Sequence, residues 1–203
     1  MKRDDIINSA IVEFGKCDYD RASINSIIED SNTSKGTFYH YFNSKEALYT
    51  ELLDIVVKEK LRFLQEKTNE TDRISEDPSI FELFRSQIRS SVEFRVAYPK
   101  YAMFSAQVAN ETNQAIRSKI EAVVGNATIE YLNPLIRTNI ERQNLRNDVP
   151  EEFVSALLVY MLSHFSDFLL YMGVKVDSND TPKMLETLNY YIDVLEHGLA
   201  YKR

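Results

Sequence analysis

Cysteine is almost missing from this chain of 203 residues, and the single Cys17 excludes any internal disulfide framework. With no adjacent base in sequence, Cys17 reads as a packing residue at the end of the first helix. Glycine and proline are sparse, five of each, which removes most backbone breakers and favours long helices. A positive balance is also lacking. The formal charge is −7, so the molecule as a whole is no polyanion binder, and any nucleic-acid contact must come from a local basic face. The most apolar stretch, 153–172, is interrupted by Ser155, Ser163, His164, Ser166 and Asp167 and does not read as a membrane span. The opening Met1-Lys2-Arg3-Asp4-Asp5 has no apolar signal region, which places the protein in the cytoplasm. His40, His164 and His197 are scattered and none is paired with carboxylates at a ligand spacing. No glycine-rich phosphate loop occurs, so no metal, no cofactor and no enzymatic role is expected.

What the chain does have is helical periodicity nearly from end to end, and 44% hydrophobic residues with which to build a core. Ile7, Ala10, Ile11 and Phe14 form one stripe, interrupted at Gly15 and 17–21. Ser23 suits the N-cap of a short helix carrying Ile24, Ile27 and Ile28. A turn follows at Ser31-Asn32-Thr33, where Asn32 tolerates a left-handed backbone. A second short helix starts from Ser34, and Asn43 and Glu46 have capping-box spacing at the start of a third, with an apolar stripe of Ala47, Leu48, Leu52, Ile55 and Val56. Thr68 to Ser79 reads as a polar connection. Helices are expected over 80–97, 101–110 and 112–144, with Pro99 as a break and Pro134 either kinking the third or starting a new segment. A further helix should run from Val149-Pro150 to Met172. After a loop over 173–180, Thr181-Pro182 should open the last helix, ending near Ala200. No alternating strand pattern is present, so the fold class is all-α.

Two short helices joined by a three-residue turn form a helix-turn-helix, whose second helix can enter the major groove. On that helix Phe38 and Phe42 should face a small core with Ile7, Phe14 and Ile27, leaving Lys35, Gly36, Tyr39 and His40 on the other side. Gly36 would permit close approach to DNA. Lys45, at the next helix N-terminus, can share a phosphate with free backbone N–H groups. No acidic residue lies between Lys35 and Lys45. Tyr39, His40 and Tyr41 in succession cannot all point inward.

From Ser23 to Leu48 the chain closely resembles the DNA-binding domain of the TetR family of bacterial one-component repressors. The residues that carry the likeness are Ser23, then Gly36-Thr37-Phe38-Tyr39-His40-Tyr41-Phe42, then Lys45-Glu46 and Leu48. Ile28, Ser31, Asn32 and Thr33 stand where the family usually has Ala, Ala, Gly and Val. The resemblance implies base or base-adjacent contacts from Lys35, Gly36, Thr37 and His40, and phosphate contacts from Ser23, Tyr39, Tyr41 and Lys45. It implies a helix-turn-helix DNA-binding domain over 1–48 and an effector-binding and dimerisation domain over 49–203. The protein would then be a ligand-relieved repressor that grips a near-palindromic operator as a homodimer. A helical adaptor or an α-helical enzyme without DNA binding is the alternative.

Heptad-like spacing recurs near the C-terminus. Val154, Leu158, Met161, Phe165, Phe168 and Met172 make one seam, and Leu185, Leu188, Ile192, Leu195 and Leu199 another. Either seam could bury within one chain. The penultimate helix is also apolar off its seam, at Phe153, Leu157, Tyr160, Leu162 and Leu169, which suggests neighbours on two sides. The family resemblance implies a four-helix bundle across a two-fold axis, with Val154, Leu158, Met161, Phe165, Leu188, Ile192 and Leu195 at the interface. Phe84, Phe94, Tyr98, Tyr101, Met103, Phe104 and Gln107, with His164 and Phe168, offer the aromatic rings and few polar tips a small-molecule cavity needs. Of these Phe94, Tyr98, Tyr101, Phe104, Gln107, His164 and Phe168 are the candidate ligand contacts. The family's regulatory domain binds an inducer among its helices, which implies a small apolar or amphipathic effector here.

Overall fold

The computed structural model describes residues 2–71, 78–145, 147–173 and 181–199. All regular structure among them is helical, as expected. In order come α1 (Lys2–Lys16), α2 (Ile24–Asp30), α3 (Lys35–Tyr41), α4 (Lys45–Thr71), α5 (Ile80–Ala97), α6 (Pro99–Ala109), α7 (Gln114–Glu141), α8 (Glu151–Ser163), α9 (Phe165–Tyr171) and α10 (Thr181–Leu199). Most of the loop expected over 173–180, the middle of the polar connection (72–77) and the expected helix end at Ala200 lie outside the described residues.

Several boundaries differ from the sequence expectation for local reasons. Ser44, not Asn43, caps α4: its hydroxyl accepts the Ala47 N–H at 3.0 Å. That helix continues to Thr71, into the expected connection. The break expected at Pro99 is present, α5 ending at Ala97, and Pro99 is itself the first residue of α6, a position where a missing N–H costs nothing. Asn113 caps α7, its Oδ1 accepting from Ala115 and Ile116 at 3.1 and 3.3 Å. Pro134 lies inside α7 without ending it. Both Pro134 and Glu130, whose carbonyl loses its helical donor, are exposed, so water can take the vacant acceptor. The single helix expected from 150 to 172 is two, α8 and α9, separated at His164, whose ring stacks on Tyr160 with centroids 4.1 Å apart.

Two compact units divide the chain, one formed by residues 1–59 and 94–124, the other by 60–93 and 125–203. In the first, Ile6, Ala10, Ile11 and Phe14 of α1 meet Ile27, Phe38, Phe42, Leu48, Leu52 and Phe104 in one core. Each large apolar side chain closed off in this way contributes roughly 1.5–3 kcal/mol. The stripe of α1 is centred one residue earlier than its spacing suggested: Ile6 is fully buried and Ile7 only half-buried. Ala47, expected in the α4 stripe, is exposed, and Tyr49 takes a buried place instead. Helix α1 also lies hard against α6 at Gly15, where a Cβ would stand 3.3 Å from Met103 Cβ and 3.4 Å from the Phe104 nitrogen.

The second unit has its own core of Ile80, Phe81, Phe84, Ile88, Leu132, Ile136, Val154, Leu158, Ile192 and Leu195. Buried Asn139 pins it, accepting the Ile80 N–H at 2.8 Å and donating to the Leu135 carbonyl at 2.9 Å. Arg85 of α5 is ion-paired with Glu196 of α10.

The atoms facing Gly15 belong to backbone or sit next to it and cannot swing aside. Gly15→Leu should therefore lower stability by about 1–3 kcal/mol in urea unfolding. An unchanged midpoint would show that α1 and α6 have room to separate.

Candidate nucleic-acid interface

The region from Ser23 to Lys45 is assembled from local hydrogen bonds. Ser23 takes an extended conformation before α2, and its hydroxyl accepts the Ser26 N–H at 3.3 Å. Its own N–H donates to the Glu13 carboxylate at 2.9 Å, tying α2 to α1. The turn has a left-handed Asn32, with φ of 48°. The Thr33 N–H reaches back to the Ile28 carbonyl at 3.1 Å, closing the end of α2. Three departures from the family pattern are absorbed here. Ile28 packs half-buried against the core. The buried Ser31 hydroxyl donates to the Ile28 carbonyl at 3.2 Å and pairs with the Thr33 hydroxyl at 2.8 Å.

Ser34 caps α3, accepting from the Thr37 N–H at 3.1 Å. The Thr37 hydroxyl is also engaged with Ser34, 2.9 Å away. Phe38 is fully buried and Phe42 nearly so, as the four-residue spacing predicted, and the Arg3 guanidinium lies 5.6 Å from the centre of the Phe42 ring. Lys35, Gly36, Tyr39, His40 and Tyr41 are exposed together along the outer side of α3. Tyr39 and Tyr41 keep 44% and 42% of their surface in solvent, high values for rings with no apolar reason to be outside. A Cβ added to Gly36 would find nothing nearer than the Ser34 hydroxyl at 3.8 Å. The fold leaves that space open.

Lys45 begins α4 but does not stand free over its N-terminus. Its Nζ donates to the Asp20 carbonyl at 3.2 Å and sits 4.6 Å from the centre of the Tyr19 ring. Cys17 is half-buried, as its packing reading required; desolvation, then Glu13 and Asp18, push its thiol pKa up. Burial, with Glu111 nearby, likewise pushes the Tyr49 phenol up.

The other candidate residues divide between the units. Phe94, Tyr98, Tyr101, Phe104 and Gln107 belong to the first unit, and His164 and Phe168 to the second. Phe94, Tyr98 and Tyr101 form a ring stack, with centroids 4.9 and 5.6 Å apart along it. Phe104 is not a cavity wall: it is 1% exposed, edge-on to Tyr49 and covered by α1 at Gly15. In the second unit Phe165 and Phe168 both pack on Tyr191, whose hydroxyl donates to the Met161 carbonyl at 2.8 Å.

Four residues assigned to the dimer interface need correction. Val154, Leu158, Ile192 and Leu195 are buried inside their own subunit, at 5% exposure or less, so no partner can reach their side chains. Met161, Phe165 and Leu188 are half-buried. Among the described residues, the large apolar side chains left outside on α8 and α10 are Phe153, Tyr160, Tyr190 and Val194, each 58% exposed or more. Periodicity marked both stripes of α8 but not which one its own chain would cover. Sequence reasoning also missed Glu111, a carboxylate buried between α6 and α7; its only signal was an acidic residue amid the capping types Asn110, Thr112 and Asn113.

Among the described residues no three His, Cys, Asp or Glu side chains gather as a metal site, and no helix is long and apolar enough to cross a membrane. A shallow depression in the second unit is lined by Asn133, Arg137, Glu151, Glu152 and Ser155.

Residues 6–52 match the sequence profile of bacterial regulatory proteins of the tetR family. No curated protein matches the chain. Among solved structures, the fold is similar to a putative TetR-family transcriptional regulator from Syntrophomonas wolfei, with 22% identity, TM-score 0.71, and 100% of this chain and 98% of that one covered. It is also similar to a TetR-family regulator from Chloroflexus aurantiacus, with 22% identity, TM-score 0.58, and 99% and 94% covered. The transcriptional regulator FadR from Bacillus subtilis, solved in complex with stearoyl-CoA, shares the fold at 15% identity, TM-score 0.67, and 96% and 97% covered. The N-terminal segment 6–52 therefore carries the tetR-family profile, and the chain as a whole shares the fold of solved TetR-family regulators.

Proposed function

We propose that the chain is a cytoplasmic repressor that holds a near-palindromic operator as a two-fold dimer and lets go when a small apolar or amphipathic effector binds. The observation that carries this reading is the outer side of α3, where Lys35, Gly36, Tyr39, His40 and Tyr41 are exposed together in a segment without acidic residues. Lys35 and His40 are suited to read base edges, with Gly36 and the half-buried Thr37 at the point of closest approach. Tyr39, Tyr41, Ser23 and Lys45 are suited to phosphates; the Ser23 hydroxyl, already accepting a cap bond, still has its proton to donate. Residues 1–48 then read DNA, and 49–203 sense the effector and dimerise.

The dimer reading rests on the outer stripe of α8 and on α10. Phe153, Leu157, Tyr160 and His164 are spaced 4, 3 and 4, a seam parallel to the one buried inside the subunit, and Tyr190 and Val194 supply its counterpart. Apolar side chains this exposed and this regularly spaced suit a second copy of the same chain. An amphipathic effector is supported by the stearoyl-CoA in FadR, a protein of the same fold, and by the ring stack of Phe94, Tyr98 and Tyr101.

Nuclease footprinting of the intergenic DNA beside the protein's own gene should reveal a protected, near-palindromic segment released by acyl or other apolar ligands. Absence of any salt-sensitive, sequence-specific protection would refute the repressor reading. Lys45→Ala should weaken binding to all sequences and flatten the salt dependence by about one unit of slope.

Gly36→Ala separates folding from recognition. Alanine has room in the fold and a better helix propensity, so thermal stability should rise, by up to about 1 kcal/mol. Operator affinity should nevertheless fall, because the methyl group occupies the space reserved for DNA. Equal affinity would remove Gly36 from the interface. Val194→Glu should leave the subunit within about 0.5 kcal/mol of its normal stability yet give a monomer in sedimentation. Leu158→Ala, inside the core, should instead cost about 2–5 kcal/mol.

A further inference from the structure

Glu111 places a carboxylate almost out of solvent, the residue being 3% exposed. Its oxygens accept three backbone N–H groups: Oε1 from Thr112 and Asn113 at 2.9 and 2.8 Å, and Oε2 from Tyr19 at 3.0 Å. The first two belong to its own turn, which any capping acceptor could satisfy. The third comes from a loop 92 residues away. Asn113 reaches that same loop, its Nδ2 donating to both carboxylate oxygens of Asp20 at 2.9 and 3.2 Å. Tyr19 and Asp20 are also the residues that hold Lys45, through a ring face and a carbonyl.

We propose that Glu111, with Asn113, is a positioning residue for DNA binding: it sets the Tyr19–Asp20 backbone that aims the Lys45 ammonium at operator phosphate. The proposal rests on the phosphate role given to Lys45 above. A free lysine side chain gives up rotamer freedom when a phosphate recruits it. Here the stem is already constrained by the Tyr19 ring and the Asp20 carbonyl, so that loss precedes DNA. One of the three ammonium donors is used on Asp20, and two remain for phosphate. Burying a carboxylate against a loop is costly unless it is fully hydrogen-bonded, and the three N–H donors meet that condition. A cap confined to its own turn would need no bond to Tyr19.

The test titrates the duplex footprinted beside the gene with the full chain and its variants, across about 50–200 mM salt. Asn113→Asp keeps an N-cap acceptor for α7 but sets a carboxylate against Asp20. It should weaken binding about three- to tenfold and flatten the salt slope by up to about one unit, the signature of a lost phosphate contact. Asp20→Asn combined with Asn113→Asp restores the hydrogen bond in the reverse direction and should recover both affinity and slope. Glu111→Gln, which turns an amide donor toward a backbone N–H, should match Asn113→Asp. In a Lys45→Ala background, neither Asn113→Asp nor Glu111→Gln should weaken binding further. Wild-type slope in Asn113→Asp, or equal losses with and without Lys45, would overturn the positioning role while leaving the DNA reading intact. Failure of the wild type itself to retain the duplex would instead sink the DNA reading, and this proposal with it.

Discussion

The outer face of α3 depends on one burial, that of Phe38. A helix of seven residues has too few hydrogen bonds to hold itself together in water, so its shape is borrowed from what it packs against. Phe38 is fully enclosed by the first unit's core and Phe42 closes the end of the helix beside it. Once those two rings are seated, the 3.6-residue repeat leaves Lys35, Gly36, Tyr39 and His40 no choice but to face outward. The serine cap at Ser34 and the left-handed Asn32 then determine where the helix starts and how it is angled from α2. Which side chains α3 shows to solvent is a by-product of how a small core is filled.

Charge acts at a second level. An acidic chain repels DNA at long range, so the proposed contact has to come from a stretch without carboxylates, and Lys35 to Lys45 is one. Three carboxylates of the same unit are engaged in structural hydrogen bonds. Glu13 holds the start of α2, Asp20 receives Asn113, and Glu111 receives the Tyr19 backbone. Each is satisfied by donors within the chain.

Legibility followed the range of the interaction. Ser23, Ser34, Asn32 and the Phe38–Phe42 pair could be read from sequence because caps, turns and a four-residue spacing involve neighbours only. The departures at Ile28, Ser31 and Thr33 could not be judged in advance, since their accommodation depends on a buried hydroxyl pair and a gap in the core. On α1 the stripe was legible but its centre was not: Ile6 and Ile7 fit the periodicity almost equally, and the packing of the first unit's core decides between them. Lys45 showed the same limit. Its place at a helix start was evident, while the ring and carbonyl that hold its ammonium lie in a loop 25 residues earlier.

By itself, the sequence determined the all-α class, the helix-turn-helix and its outward residues, and the presence of two apolar stripes on α8. These follow from composition and from periodicities that any helix must obey. Tertiary structure alone decided which stripe is core. Val154 and Leu158 are closed in by α10 and α5 residues of the same subunit, whereas Phe153 and Tyr160 are left in solvent. It alone decided that Phe104 packs under α1 at Gly15, and that Glu111 reaches Tyr19. A repeat specifies the face of a helix but not its neighbour. Neighbours are chosen by shape and by polar groups that must be satisfied across long stretches of chain.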